Sequence, residues 1–585
     1  MFKLFTYLKK SQWGQIAAIV VLIAGQVYLN LKLPDFMNDI TKSLETGGEL
    51  PEILRLGGKM LLCALGSGIL AVVTGYFSAR VATTFSRDLR RQVFSKTLSF
   101  SQAEVDQFST ASLITRSTND ITQIQQFFAM GLQVLIQAPI LAVWAIFKIL
   151  GKGWEWSTAT GVAVLFIACI LGIIIGLAMP KFKKLQWLTD NLNRVTREHL
   201  QGIRVVHAYN GGAFQEAKFE AANEELTATH LFASRAMAIL QPSIQLTMMG
   251  LTLSIYLIGA QLINASDIPG RILLFSNMIV FSAYGIQVVM AFMLLAFTFI
   301  ILPRASVSAK RLLEVLETPL TVVDGKGSSG VGSQIAIEFK GVSFQYPTAS
   351  EAVLEDVSFA VKKGQTFAFI GSTGSGKSTL INLIPRLYDV SAGQVLVDGV
   401  DVRQYKMASL WNRIGYVSQK AVLFSGTVAS NVAFGSNGEC QLTEAGIKRA
   451  VAIAQGKDFV ERMENGYEAA IAQGGTNVSG GQKQRLSIAR AIGRQPDIFI
   501  FDDSFSALDF KTDSQLRSVL KQETKGATTL IVAQRIGTIK DADQIVVLDE
   551  GKVVGQGTHA ELLRSCPTYQ EIALSQLSRE ELEHE

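Results

Sequence analysis

The run Gly371-Ser372-Thr373-Gly374-Ser375-Gly376-Lys377-Ser378-Thr379 fits G-x-x-x-x-G-K-[ST] and directly follows an apolar run, Thr366–Ile370. Glycines in that pattern let a loop curl so that its N–H groups face a polyphosphate. Lys377 would reach the outer phosphates, and the Ser378 hydroxyl would ligate Mg²⁺. Far downstream, Ile498-Phe499-Ile500-Phe501-Asp502 reads as a buried strand ending in a carboxylate, the place for a second Mg²⁺-organising group. Alone, that aspartate would be an ordinary strand-end residue; beside the glycine-rich loop it becomes a candidate ligand.

A third motif, Val478-Ser479-Gly480-Gly481-Gln482 ending in Arg485, resembles the signature sequence of the ATP-binding-cassette (ABC) proteins. The resemblance covers essentially the whole chain and implies further roles. Tyr346 matches the aromatic that stacks on adenine. Gln419, in Tyr416-Val417-Ser418-Gln419, matches the loop glutamine that senses Mg²⁺ and contacts the membrane domain. Ser506 to Asp509 matches the D-loop. Asp106 to Leu113 followed by Arg116 to Asp120 looks like the first coupling loop of the exporter subfamily, and Glu198 to Tyr209 like the run leading into the second. The implied fold is a six-helix membrane domain plus an α/β P-loop nucleotide-binding domain, and the implied cofactors are ATP and Mg²⁺.

Two positions depart from the family pattern. Where hydrolysing cassettes carry a glutamate that positions and deprotonates water, this chain has Asp503, shorter by one methylene. Loss of a well-placed base costs about 10²–10⁴ in rate. Where the family has a switch histidine, the chain has Gln534, before Arg535 and Thr538-Ile539. A milder change is Gln473, where exporters often carry a glutamate. Asp503, Gln534 and Gln419 are therefore the catalytic-position residues, Ser378, Gln419 and Asp502 the metal set, and Tyr346, 371–379 and Ser479–Gln482 the nucleotide set. In this family each ATP lies between one P-loop and the opposite signature motif. The expectation is thus a heterodimer in which this chain's P-loop builds a weakly hydrolytic site and its intact signature completes a competent one on a partner subunit.

These groups need elements to hold them, and the chain divides by composition. It is 585 residues long, 48% hydrophobic and 18% charged, against about 25% charged for soluble proteins. Apolar runs long enough to cross a bilayer fall near 15–35, 58–80, 128–150, 159–180, 241–263 and 273–302. Asp35, Asp39, Glu45, Glu49 and Glu52 mark the first connection. Lys and Arg crowd the second (Arg80 to Arg116) and fourth (Lys181 to Arg204), so both termini are expected in the cytoplasm. No Asp or Glu sits centrally in a span, so the energy for transport is expected from the nucleotide site rather than from an ion gradient.

After Arg304 a charged helix (305–317) and a Gly/Ser linker are expected, then strands at 335–339, 366–370, 394–397, 498–501 and 529–532 fed by crossover helices. The expected division is 1–318 membrane domain, 319–334 linker, 335–575 nucleotide-binding domain and 576–585 acidic tail. A net charge of +5 is small for this length and argues against a nucleic-acid partner. Cys63, Cys169, Cys440 and Cys566 form no C-x-x-C pair. In the sixth run, Met278, Phe281, Tyr284, Met290, Met293 and Phe297 recur at helical spacing, fitting either helix packing or an adaptable apolar ligand surface. Gln241 and Gln245 are one helical turn apart. Likeness to bacterial multidrug exporters implies a multi-pass protein of the bacterial plasma membrane, in contact with membrane lipid, that moves drugs or other small amphipathic compounds outward from the cytoplasm or inner leaflet; lipid or peptide export, or a non-pumping regulatory subunit, are the alternatives.

Overall fold

The computed structural model describes residues 2–45, 47–150, 153–327, 332–347, 349–435 and 442–577. The acidic tail beyond 577, Cys440 and linker residues 328–331 lie outside them. The chain forms two compact units, one of residues 1–96 and 111–318, the other of 97–110 and 319–585.

In the first unit six long helices meet the length and apolarity a bilayer requires: α1 (Lys10–Glu45), α2 (Leu50–Leu98), α4 (Thr110–Ile149), α5 (Trp154–Gln201), α6 (Gly212–Asn264) and α7 (Ile268–Glu317). Helix α3 (Gln102–Phe108) belongs to the second unit. The six apolar runs each sit within one of these helices, and the helices overrun them. Intrahelical hydrogen bonds satisfy the backbone in lipid, and prolines at the run ends, such as Pro34 and Pro303, lie inside the helices without ending them. Helix α1 therefore continues through Asp35 and Asp39, which are helical rather than loop residues. The charged run 305–317 is likewise no separate helix: α7 passes through Pro303 without interruption.

Helix α7 packs on α1, α4, α5 and α6, and the spacing of its apolar residues explains how. Met278, Phe281, Tyr284 and Val288 fall on one side and are buried. Tyr284 donates to Asp35 Oδ1 (2.6 Å) and to the Leu31 carbonyl (2.9 Å), and Lys148 donates to Asp35 Oδ2 (2.6 Å). The first half of the Met/aromatic stripe thus packs helices together. Met290 and Met293 are half-buried, and the Phe297 side chain lies outside the described set. Gln241 and Gln245 are exposed. Helix α4 carries two π turns, Arg116–Asp120 and Phe127–Gly131; Asp120, the last residue of the first, is buried and accepts a hydrogen bond from Ser308 (2.8 Å).

The second unit is an α/β fold. A six-stranded sheet runs β12-β11-β3-β10-β9-β6, with β3 (Thr366–Gly371), β6 (Ile414–Val417), β9 (Ile498–Asp502), β10 (Thr528–Val532) and β11 (Gln544–Asp549) parallel and β12 (Lys552–Gly557) antiparallel at the edge. Strand β9 is buried at all five positions, as expected of a parallel strand covered on both faces. The second sheet, β2-β1-β4-β5, is antiparallel: β1 (Ile335–Phe344), β2 (Leu354–Lys362), β4 (Ala392–Val397) and β5 (Val400–Asp401). Of the expected strands, those at 335 and 394 belong here and need no crossover helix between them. A two-stranded pair, β7 (Gly426–Thr427) with β8 (Ala470–Ile471), completes the set.

Candidate nucleotide site

Parallel strands deliver their loops to one edge of a sheet, and ligands bind beyond the carboxyl ends. Strand β3 ends at Gly371 and β9 at Asp502, followed by Asp503, while Gln419 and Gln534 lie two residues beyond the ends of β6 and β10. These are the residues whose types pointed to nucleotide chemistry.

The loop after β3 turns sharply. Gly374 and Gly376 adopt φ of 88° and 95°, in the left-handed region that favours glycine. A Cβ on Gly376 would lie 2.7 Å from Leu354 and 3.0 Å from the Val353 carbonyl. Gly376 then caps α8 (Lys377–Leu383). Ser372, Thr373, Gly374 and Ser378 are exposed on the crown, while Ser375, Lys377 and Thr379 are buried. Lys377 Nζ donates to the Gly371 and Ser372 carbonyls (2.9 and 2.6 Å) and to Ser375 Oγ (3.3 Å). Burial pushes its ammonium below the ordinary lysine range, against the pull of Asp503 and Asp502. Such a cation, held over a loop of exposed N–H groups, is a site for a polyanion.

Ser378 Oγ donates to Asp502 Oδ1 at 2.9 Å. Burial raises the Asp502 carboxyl above its usual range, with the Asp503 charge adding to the shift and the Ser378 bond opposing it. A hydroxyl beside a buried carboxylate is a hard oxygen pair that fits Mg²⁺.

Asp503 has a left-handed backbone, φ 46°, tolerated by aspartate better than by most residues. Its Oδ2 accepts from Gln419 Nε2 (3.3 Å) and from Gln534 Nε2 (3.1 Å). Three positions from three loops thus meet on one carboxylate oxygen. Burial raises this carboxyl too, opposed by the bonds from Gln419 and Ser506 and by the nearby Arg535.

Tyr346 flanks the loop. Its hydroxyl lies 3.0 Å from Thr379 Oγ1, and its ring meets Tyr388 edge-on at 5.3 Å. Tyr388 donates to Asp106 Oδ2 of α3 at 2.7 Å. Tyr388 had no sequence signal of its own, since nothing in a single chain marks its long-range partner.

Ser479 begins α9 (Gly480–Gly493) in a reciprocal cap, with Ser479 N donating to Gln482 Oε1 (2.9 Å) and Gln482 N to Ser479 Oγ (3.4 Å). This presents a serine, two glycines and a helix N-terminus outward. Among the described residues no hydrogen bond joins 479–482 to 371–379. Arg485 anchors the same helix, stacking on Phe459 (4.7 Å) and donating to the Gln455 carbonyl (2.8 Å).

Fold and site together define a membrane-spanning, ATP-binding transport protein. Residues 15–292 match the model of the ABC transporter transmembrane region and residues 354–506 that of the ABC transporter. An uncharacterized ABC transporter ATP-binding protein of Mycobacterium tuberculosis is 39% identical over 96% of each chain. YfiB, an uncharacterized ABC transporter ATP-binding protein of Bacillus subtilis, is 33% identical over 99% of each. An ATP-dependent lipid A-core flippase of Aromatoleum aromaticum is 30% identical over 97% of this chain and 94% of its own. A bacterial Atm1-family ABC exporter solved with ATP bound superimposes with a TM-score of 0.79 at 23% identity, over 97% of this chain and 99% of that one. The chain belongs to the ABC transporters: it is a multi-pass membrane protein with an ABC exporter fold and an ATPase domain.

Proposed function

We propose that the chain is one subunit of a heterodimeric exporter, and that its own P-loop builds a site which holds ATP but hydrolyses it slowly. The observation that carries this reading is the Asp503 carboxylate, with one oxygen engaged by the amides of Gln419 and Gln534 and, among the described residues, no imidazole hydrogen-bonded to it. Aspartate reaches one methylene less far than glutamate, and glutamine cannot carry positive charge toward a γ-phosphate. The raised basicity of Asp503 does not offset a carboxylate that falls short of the water.

In this reading Gly371 to Thr379 hold the phosphates, with Lys377 on the outer ones, and Tyr346 stacks on adenine. Ser378, Asp502 and Gln419 would hold Mg²⁺, which would supply neutralisation of the phosphate charge. Ser479, Gly480, Gly481 and Gln482 complete the partner's competent site. Termini and cassette lie in the cytoplasm, and substrate passes outward from the cytoplasm or inner leaflet. The substrate class is amphipathic: drugs or dyes in the first reading, and lipid in a second, favoured by the likeness to the lipid A-core flippase.

The test is steady-state ATP hydrolysis in lipid by the chain alone and with its candidate partner. Negligible turnover alone, rising with the partner and abolished by changing the partner's glutamate, supports the reading; robust turnover alone would replace it with a homodimer. Separately, Tyr346→Ala is expected to weaken ATP binding about 10-fold, the scale of one lost base–aromatic stack. Tyr346→Phe keeps the ring and should bind within about threefold of the native chain, measured with a fluorescent ATP analogue.

A further inference from the structure

Residues 321–327, expected to behave as linker, are bonded along the nucleotide-binding unit. Arg386, buried and gripping Asp389 through two bonds (2.7 and 3.0 Å), donates to the Val323 carbonyl (2.9 Å). Asp324 Oδ1 accepts from Met407 N (2.7 Å), Gly325 N donates to the Tyr405 carbonyl (2.9 Å) and Gly327 N to the Gln404 carbonyl (2.7 Å). A Cβ on Gly325 would stand 2.4 Å from the Gln404 carbonyl, so the strap lies flat only with glycine there.

The strap's upstream end is held by α3. Glu104, 2% exposed, accepts from Thr321 N through Oε1 (2.7 Å) and from Ser101 N and Oγ through Oε2 (both 2.6 Å). The hydroxyls of Ser101 and Thr321 are 3.0 Å apart. Burial opposes its charge, but the bonds from Ser101 and Thr321 outweigh burial and hold the carboxyl below its usual range. Two residues on, Asp106 takes the Tyr388 hydroxyl, whose ring leads through Tyr346 to Thr379 of the P-loop helix. By chain connection, α3 continues α2 and the strap continues α7. The buried Glu104 carboxylate therefore ties α3 to the strap, and Tyr388 and Arg386 bond these two segments to the body that carries the nucleotide.

We infer that Glu104 is a positioning residue that couples the nucleotide site to the membrane helices by clasping α3 and the strap to the cassette as one body. ATP turnover needs only the cassette residues, so breaking the clasp separates turnover from the helix response.

The test uses the full assembly in nanodiscs, with Cys63, Cys169, Cys440 and Cys566 of this chain replaced by serine and spin labels at the exposed Leu50 and Trp154. Glu104→Ala should leave ATP turnover within about twofold and shrink the MgATP-driven change in label distance by about fivefold, the scale of positional coupling effects. Glu104→Gln keeps an acceptor for Thr321 N–H but not for both Ser101 donors, and should fall between. In a separate, unlabelled Glu104→Ala assembly, oxidising the pair Ser101→Cys and Thr321→Cys should restore the response, read as MgATP-dependent protease protection of α2. A full response in Glu104→Ala, a cross-link that fails to restore it, or turnover and response falling together would each overturn the inference.

Discussion

The double substitution Asp503→Glu, Gln534→His raises ATP turnover by the chain purified alone by about 10²-fold, the lower end of what a well-placed general base contributes. The longer side chain brings the carboxylate toward the position of the attacking water, and the imidazole replaces an amide that now occupies Asp503 Oδ2 at 3.1 Å. Each single change should yield much less, since Asp503→Glu alone leaves Gln534 free to hold the new carboxylate. The gain carries a local cost. Position 503 has a φ of 46°, and glutamate in the left-handed region costs about 1 kcal/mol, which for a domain of this size lowers the unfolding midpoint by about 2–4 °C. Turnover and thermal unfolding of the four variants, measured on one preparation of each, separate the two effects. If the native chain already turns over at the rate of the double variant, Asp503 suffices as a base and the asymmetric assembly is the wrong reading.

Legibility in the sequence followed how local each feature is. The P-loop could be read because strand, glycines, lysine and helix are consecutive, and local sterics alone dictate that turn. Asp502 could be placed because a run such as Ile498–Phe501 suits only a doubly covered strand. The meeting of Gln419, Gln534 and Asp503 on one oxygen could not be read, because it depends on β6, β9 and β10 lying side by side in the order the sheet gives them. The left-handed backbone at Asp503 left no trace either, since aspartate is common elsewhere. The antiparallel second sheet leaves no mark in the sequence, because an apolar run does not reveal its partner's direction. Charge beginning after Arg304 suggests a separate helix there, yet a change in charge does not end a helix when no capping residue or glycine intervenes. Glu104 and Tyr388 were invisible as partners: their contacts, to Thr321 and Asp106, join segments more than two hundred residues apart.

The sharpest asymmetry is expected between two substitutions in this one chain. Ser479→Arg should lower ATP turnover of the heterodimer by about 10²–10³-fold, the cost of removing one preorganised donor set from a transition state. Ser479 caps α9, and its hydroxyl and the exposed N–H groups after it are what a partner's nucleotide would meet; a bulky cation there blocks that face and breaks the reciprocal cap with Gln482. Lys377→Ala removes the ammonium over this chain's own loop. If that site turns over slowly, the change should empty it of ATP while costing the assembly less than about 10-fold in steady-state turnover, because positioning at the other site is intact. Photolabelling with an azido-ATP reports occupancy of each chain, and phosphate release reports the sum. In a homodimer every site would carry both substitutions in turn, so Ser479→Arg and Lys377→Ala would abolish turnover alike. The ratio of the two effects therefore measures how unequal the two sites are, without knowledge of what is transported.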